Sequence, residues 1–188
     1  MLAPLMLLLA SACGASEASP APPALRIDSD NARVEFEIAA LWILRRHGHF
    51  GEIEGRIDSD AAAGTAVISV RIRVDSVRMK DPDHVRLLLS PEFFDAARHP
   101  WIEFRSEPFA LDGAARVALP GKLSVRGITR RVRFLIDRGH CDLRALTPCE
   151  VVVDGSLKRS RFGMNEYRRT LADKVHLKIT ARIAPGAG

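Results

Sequence analysis

The sequence predicts an all-β chain, an antiparallel sandwich or a closed barrel, and three observations carry that prediction. Period-two alternation recurs along the chain. Val34, Phe36 and Ile38 alternate with Arg33, Glu35 and Glu37, and Ile68, Val70, Ile72 and Val74 alternate with Ser69, Arg71, Arg73 and Asp75. Val175, Leu177, Ile179, Ala181 and Ile183 alternate with His176, Lys178, Thr180 and Arg182. Such segments are strands with one apolar and one charged face. Gly- and Asp-containing turns separate the runs, and helical patterning is confined to residues 83–99, so strands must pack on strands.

The charged face decides which way the sheet is turned. A membrane-spanning barrel is apolar outside, and charges on its lipid face are costly. Here Glu35, Glu37, Arg71, Arg73, Lys178 and Arg182 recur at regular spacing on one face. That face belongs in water and the apolar face inside, which predicts a soluble barrel and not a pore.

The segments before the first strand read differently. Residues 1–12 contain the apolar run Leu5-Met6-Leu7-Leu8-Leu9-Ala10, too short to cross a bilayer, which takes about 20 residues. It reads as the core of a secretion signal. Leu9-Ala10-Ser11-Ala12-Cys13 resembles a bacterial lipobox, with Ala10 where Leu is usual, and makes Cys13 a lipidation candidate; the alternative is a Cys within an uncleaved or ordinary signal. Residues 13–24, rich in Ser, Pro and Ala, read as a flexible tether, residues 25–184 as the domain, and 185–188 as a tail. The chain has three cysteines. Cys141 and Cys149 make a natural pair in an oxidising compartment, which leaves Cys13 odd. In the cytosol the two thiols would stay reduced.

Between the strands, Leu41-Trp42-Ile43-Leu44 breaks the alternation and leads into a basic, Gly-rich stretch, His47 to Gly55. Two short helices are expected next. The first runs from Asp83 to Leu89, with Asp81 and Asp83 suited to its N-terminal N–H groups. The second starts at Ser90-Pro91, a cap followed by a first-turn proline, carries Phe93 and Phe94, and is stopped by Pro100. Trp101 to Ser106 resumes the strand pattern. Asp112-Gly113 is a strong hairpin signal, and Leu119-Pro120-Gly121 is expected to turn or bulge. Ile128, Val132, Phe134 and Ile136 continue the inward face, and Arg130 shares their parity.

Composition excludes several classes of function. The net charge of +5 is far below the dense basic surface nucleic-acid binding requires, so no nucleic-acid partner is expected. There is no Gly-x-Ser-x-Gly elbow, phosphate-cradling glycine loop or dinucleotide fingerprint. His47 and His49 would share a strand face as metal ligands do, but no third ligand is near, and the pair is read as a polar turn. His84 beside Asp81 and Asp83 has the makings of an acid–base pair, though helix capping accounts for the carboxylates. No catalytic residue and no metal is assigned. Arg126, Arg130, Arg131, Arg133, Lys158, Arg159, Arg161, Arg168 and Arg169 fall on neighbouring late segments. Converging, they would suit a phosphate, since Arg binds such oxygens bidentately; otherwise they are a solvated face.

Three motifs, in order, carry a family resemblance. Asp81-Pro82-Asp83-His84-Val85-Arg86 through Ser106 is similar to the YceI family's signature of an Asp-x-His-Leu-Arg run, a Ser-x-x-Phe-Phe-Asp helix and a Pro-x-Ile-x-Phe strand. Gly121-Lys122-Leu123-Ser124-Val125-Arg126-Gly127-Ile128-Thr129-Arg130 resembles its Gly-x-Leu-x-x-x-Gly-x-Thr hairpin, and Arg159-Ser160-Arg161-Phe162-Gly163-Met164 its Arg-Ser-x-Phe-Gly-Met. The chain departs from the pattern at Asn31-Ala32, where His-Ser is common, at Arg161, where an acid is common, and in the insert between Cys141 and Cys149.

The resemblance implies an antiparallel lipocalin-like β-barrel with two short helices at one end, whose cavity holds a polyisoprenoid or another long amphiphile, the bound isoprenoid lipid being a ligand and no cofactor. By position the cavity candidates are Phe36, Ile38, Trp42, Ile72, Val74, Phe93, Phe94, Trp101, Phe104, Phe134 and Phe162, and the head-group candidates are Arg130, Arg159 and Arg161. The expected function is non-catalytic lipid binding or transport in the bacterial envelope, in the periplasm and lipid-anchored through Cys13, with a homodimer left open. The alternatives are an envelope enzyme using His47, His49 or His84 on a small metabolite, and a filled-core interaction module.

Overall fold

Each alternating run becomes a strand, and several bend midway. The computed structural model describes residues 25–41, 43–60, 62–141 and 148–183. The expected signal, the tether with Cys13, the tail 185–188 and the side chain of Trp42 lie outside these residues. Twelve strands form one antiparallel sheet: β1 (Leu25–Asp28), β2 (Ala32–Ala40), β3 (Leu44–Phe50), β4 (Ile53–Asp60), β5 (Thr65–Arg73), β6 (Val77–Met79), β7 (Trp101–Ser106), β8 (Phe109–Ala110), β9 (Arg116–Val125), β10 (Ile128–Asp137), β11 (Cys149–Lys158) and β12 (Leu171–Ile183).

Register shows how the sheet closes. β1 pairs with β4 (Leu25 opposite Ile57) and β2 with β3 (Val34 opposite Phe50), so residues 25–40 act as one bent strand against 44–60. The latter lies in turn against 65–79, through β4–β5 and β3–β6. From β5 the ladder passes to β7, β9, β10, β11 and β12, and β12 returns to β2. The sheet is therefore a barrel of eight strand segments. Serine side chains hold the bends. Ser29 Oγ accepts from Ile53 N–H (2.9 Å), and Ser76 Oγ, in a 3₁₀ turn over Val74–Ser76, donates to Arg73 C=O (2.6 Å).

Alternation sets the core. Val34, Phe36, Ile68, Ile72, Phe134 and Ile136 are buried, while outward residues of these walls form ion pairs such as Arg33–Glu35 (3.0 Å) and Arg71–Glu54 (2.7 Å). β9 and β10 meet at a two-residue hairpin whose Arg126 and Gly127 both have positive φ (54° and 70°), the backbone that matches strand twist. Pro120 stays within β9 instead of turning the chain. The β7 ladder ends at Ser106 opposite Gly121, and Pro120 C=O accepts from Glu107 N–H (2.8 Å), so its missing donor is not called on there.

One of the two expected helices forms among the described residues: α1 (Pro82–Leu89), capped by Asp81, whose carboxylate accepts from Asp83 N–H (2.9 Å). The segment expected to form a second helix is instead a series of turns over residues 90–99. Asp95 adopts φ 53°, a left-handed conformation that a helix cannot propagate through. Asp95 N–H bonds to Ser90 C=O (2.9 Å), while Arg98 and His99 N–H bond to Asp95 C=O. Asp95 is buried, and the Arg98 guanidinium bonded to its carboxylate holds its pKa below the usual range against the opposing effect of burial. Cys141 and Cys149 form a disulfide between the end of β10 and the start of β11, with Cα atoms 5.6 Å apart.

Candidate functional site

The barrel encloses a cavity of 180 Å³ whose free surface carries no polar atom. Strands supply the wall; α1, the turns that follow and the segment after β11 supply the end, through Leu88, Phe93, Phe94, Arg159, Met164 and Leu171. A 150 Å³ apolar cavity stays dry and accepts a small hydrocarbon. This one has room for a short stretch of hydrocarbon chain.

Five of the aromatic rings on the wall form two groups. Phe36, Phe50 and Phe94 pack in sequence, with centroids 5.6 and 6.0 Å apart, and Phe104 meets Phe134 at 5.3 Å. Phe93 is buried and stacks on Tyr167 at 5.9 Å.

Seven of the sequence-predicted liners, Phe36, Ile38, Ile72, Phe93, Phe94, Phe104 and Phe134, lie on the wall. Val74, Trp101 and Phe162 do not. Val74 is buried in the 3₁₀ turn, where alternation breaks. Trp101 is out of phase with the inward Ile102 and Phe104, and stands on the outer face with Arg71 and Arg73 over its ring at 4.7 and 5.3 Å. Phe162 is buried beside a separate groove. The wall residues that sequence reasoning missed include Leu88, Leu123, Val153, Leu157 and Met164; alternation was the available signal for the strand residues.

The three head-group candidates have different fates. Arg159 is buried, with Nε donating to Ala172 C=O (3.0 Å), Nη1 to Met164 (2.7 Å) and Glu166 (2.6 Å), and Nη2 to Leu171 (3.2 Å). Burial pulls its pKa down while the charge of Asp173 pushes it up. It braces the segment 164–172 rather than facing solvent. Arg130 is exposed and donates to Arg161 C=O (3.2 Å). Arg161 is exposed and lines an outer groove together with Arg131, Arg133, Lys158 and Lys174. Arg126 reaches Gly163 C=O (2.9 Å) and Arg168 bonds within its own loop.

His47 and His49 lie on β3 opposite Glu37 and Glu35, and His47 Nδ1 is 3.5 Å from Glu37. His84 Nδ1 is 3.4 Å from Asp81 at the helix cap. Among the described residues no three His, Cys, Asp or Glu side chains gather as a metal site.

A family profile described as a YceI-like domain matches residues 25–183, the whole barrel. The chain belongs to the YceI-like family. Two UPF0312 proteins are similar over part of their length: one from Azotobacter vinelandii, 29% identical over 120 residues (63% of this chain, 62% of that one), and one from Shewanella denitrificans, 29% identical over 131 residues (66% and 69%). The match to the Azotobacter relative thus spans less than two thirds of it.

Solved structures share the YceI-like fold. Burkholderia cenocepacia BcnA superposes with a TM-score of 0.73 at 20% identity, covering 84% of this chain and 99% of that one. A polyisoprenoid binding domain from Saccharophagus degradans, implicated in plant cell wall breakdown, gives 0.64 at 12% identity, covering 87% and 99%. The Campylobacter jejuni YCEI protein gives 0.60 at 20% identity, covering 72% and 82%.

Proposed function

We propose that this protein binds or carries a polyisoprenoid or similar long amphiphilic lipid, without catalysis, in the bacterial cell envelope. The observation that carries the reading is the barrel around a cavity whose free surface is wholly apolar. Burial contributes about 0.8 kcal/mol per CH₂, so a hydrocarbon tail is held without any reactive group. Among the described residues the one charged side chain on the cavity wall, Arg159, is bonded to backbone carbonyls. The polyisoprenoid binding domain with the same fold supports the ligand class.

The location belongs to the same proposal. The apolar run before Cys13 and the tether after it support export and a lipid anchor on Cys13. Leu41, Ile43 and Leu44 at the β2–β3 tip are exposed, Ile43 at 84%, and Leu41 N–H bonds to Thr170 C=O beside the cavity end. An apolar tip there suits a protein that works against a membrane.

Native mass spectrometry with lipid extraction, on protein purified from its own envelope, tests the reading. A hydrocarbon-tailed species bound one to one is expected. Protein that is empty, and stays empty when offered isoprenoid quinones and prenyl phosphates, would overturn it.

A further inference from the structure

The barrel wall is open on one side. β10 pairs with β9 along its whole length, Ile128 to Asp137, but with β11 through three residues only, Leu135, Ile136 and Asp137. Residues 128–134 of β10 and 155–158 of β11 therefore flank a split in the ladder. It is closed below by those three pairs and above by the Arg130 bond to Arg161 C=O. A groove occupies the split, and Leu157 lines both this groove and the internal cavity.

The charges at the split are cations gathered without carboxylates. Several outward cations elsewhere sit on carboxylates: Arg33 on Glu35, Arg56 on Asp58, Arg73 on Asp75, Arg116 on Asp137. Five cations line the groove: Arg131, Arg133, Lys158, Arg161 and Lys174. Among the described residues no carboxylate lies within ion-pair distance of them. Lys158 feels Asp173, but that carboxylate is already held by Ser160 N–H and Oγ (both 2.9 Å). Lys158 and Lys174 stand directly opposite each other on β11 and β12, a pairing of like charges that is unfavourable without an anion nearby.

We infer that this split is a side window for a phosphorylated amphiphile: Arg131, Arg133 and Lys174 hold the phosphate outside while the tail enters the barrel past Leu157. The inference rests on the lipid-binding reading above and adds the class of head group and its place. Arginine binds phosphate oxygens bidentately, and a compact ammonium adds a point charge. An apolar wall reached past a cationic rim suits a molecule with one dianionic end and one hydrocarbon end.

Farnesyl phosphate, farnesol and inorganic phosphate are the probes, offered to the whole protein by calorimetry. Farnesyl phosphate is expected to bind at least about tenfold tighter than farnesol, and to weaken as salt rises. Arg131→Gln/Arg133→Gln/Lys174→Gln should lose that preference while keeping farnesol affinity and thermal midpoint, since these side chains sit on the outer surface. Arg33→Gln/Arg56→Gln, on the paired part of the wall, should keep it. Equal affinity for farnesyl phosphate and farnesol, or equal loss in both variants, would overturn the window and leave the lipid reading standing. Inorganic phosphate binding as tightly as farnesyl phosphate would replace the amphiphile by a free-anion site. Binding of neither prenyl probe would overturn the lipid reading and the window with it.

Discussion

The ring of Phe134 occupies the space that a β-carbon on Gly155 would need, with its Cδ1 2.1 Å from that position. The same arrangement recurs around the barrel, where Phe36 covers Gly48 and Phe104 covers Gly121. Aromatic rings laid over strand glycines fill the missing side chains and fix the register. Gly155→Ala should therefore push a buried ring off its contact with Phe104, costing about 1–3 kcal/mol as overpacking does. Chemical denaturation would measure it, and an unchanged midpoint would show that the ring moves freely.

Much of this architecture was readable because strand faces follow from alternation. Val34, Phe36, Ile68, Ile72, Phe134 and Ile136 point inward as their spacing requires. The Asp81 cap follows from the chemistry of a helix start. What could not be read was long-range or conformational. Nothing local to Asp95 announces a positive φ, so a helix was expected where turns form. Trp101 has the size of a core residue, yet its phase puts it with Arg71 and Arg73. The basic cluster was visible as composition. That Arg131 and Arg133 meet Lys174 depends on where the β10–β11 ladder stops, a tertiary fact.

Arg159 ties five chain positions together, its own and the carbonyls of Met164, Glu166, Leu171 and Ala172. Removing the guanidinium takes donors from a buried carbonyl at Met164 and half-buried ones at Leu171 and Ala172, and a buried carbonyl left without a donor costs roughly 1–3 kcal/mol. Arg159→Met, which keeps the length of the stem, should lower stability by about 3 kcal/mol or more and expose the amides of 164–172 to hydrogen exchange. Arg159→Lys recovers part of the loss, because an ammonium cannot span the same fork of acceptors. Full stability of Arg159→Met would mean that the brace is dispensable.

Acid should weaken the fold through its buried and bonded carboxylates. The Arg98 guanidinium lowers the pKa of Asp95, and the Gly139 N–H and Arg116 lower that of Asp137. For Asp173, burial pushes upward, but the Ser160 N–H and hydroxyl and the Arg159 charge outweigh it, and the net direction is down. A group with a folded pKa below its unfolded value, about 3.9 for Asp, contributes stability above that value. The contribution is lost as pH falls through the folded pKa. Stability should thus be flat from pH 7 to about 5 and decline below about pH 4. Asp173→Asn should show a shallower acid limb than the parent chain; an equal slope would remove Asp173 from the account.

The disulfide lies where the wall is weakest. β10 and β11 share only three register pairs, and Cys141–Cys149 joins them just past the last of these. Closing a short loop contributes about 2–3 kcal/mol by restricting the unfolded chain. Cys141→Ser/Cys149→Ser should lose about that much, with amide protection falling first at 135–137 and 152–154. Loss spread evenly over the barrel would mean that the link acts on the unfolded state alone.

Filling the cavity separates binding from folding. Val153 is buried on β11, opposite Ile136 on β10 and Ile179 on β12, and lines the empty space. Val153→Phe places a ring in a volume of 180 Å³ that otherwise holds no side chain. Added bulk in a packed core costs about 1–3 kcal/mol, but bulk that enters a void regains dispersion contacts and offsets that cost. The thermal midpoint should stay close to that of the parent chain, while capture of a hydrocarbon-tailed ligand falls by about tenfold or more, since losing two buried CH₂ groups already costs about 1.6 kcal/mol. Farnesol offered to both proteins makes the comparison. Retained capture would place the tail outside the barrel, and a collapse in stability would show that the space is too tight to take a ring.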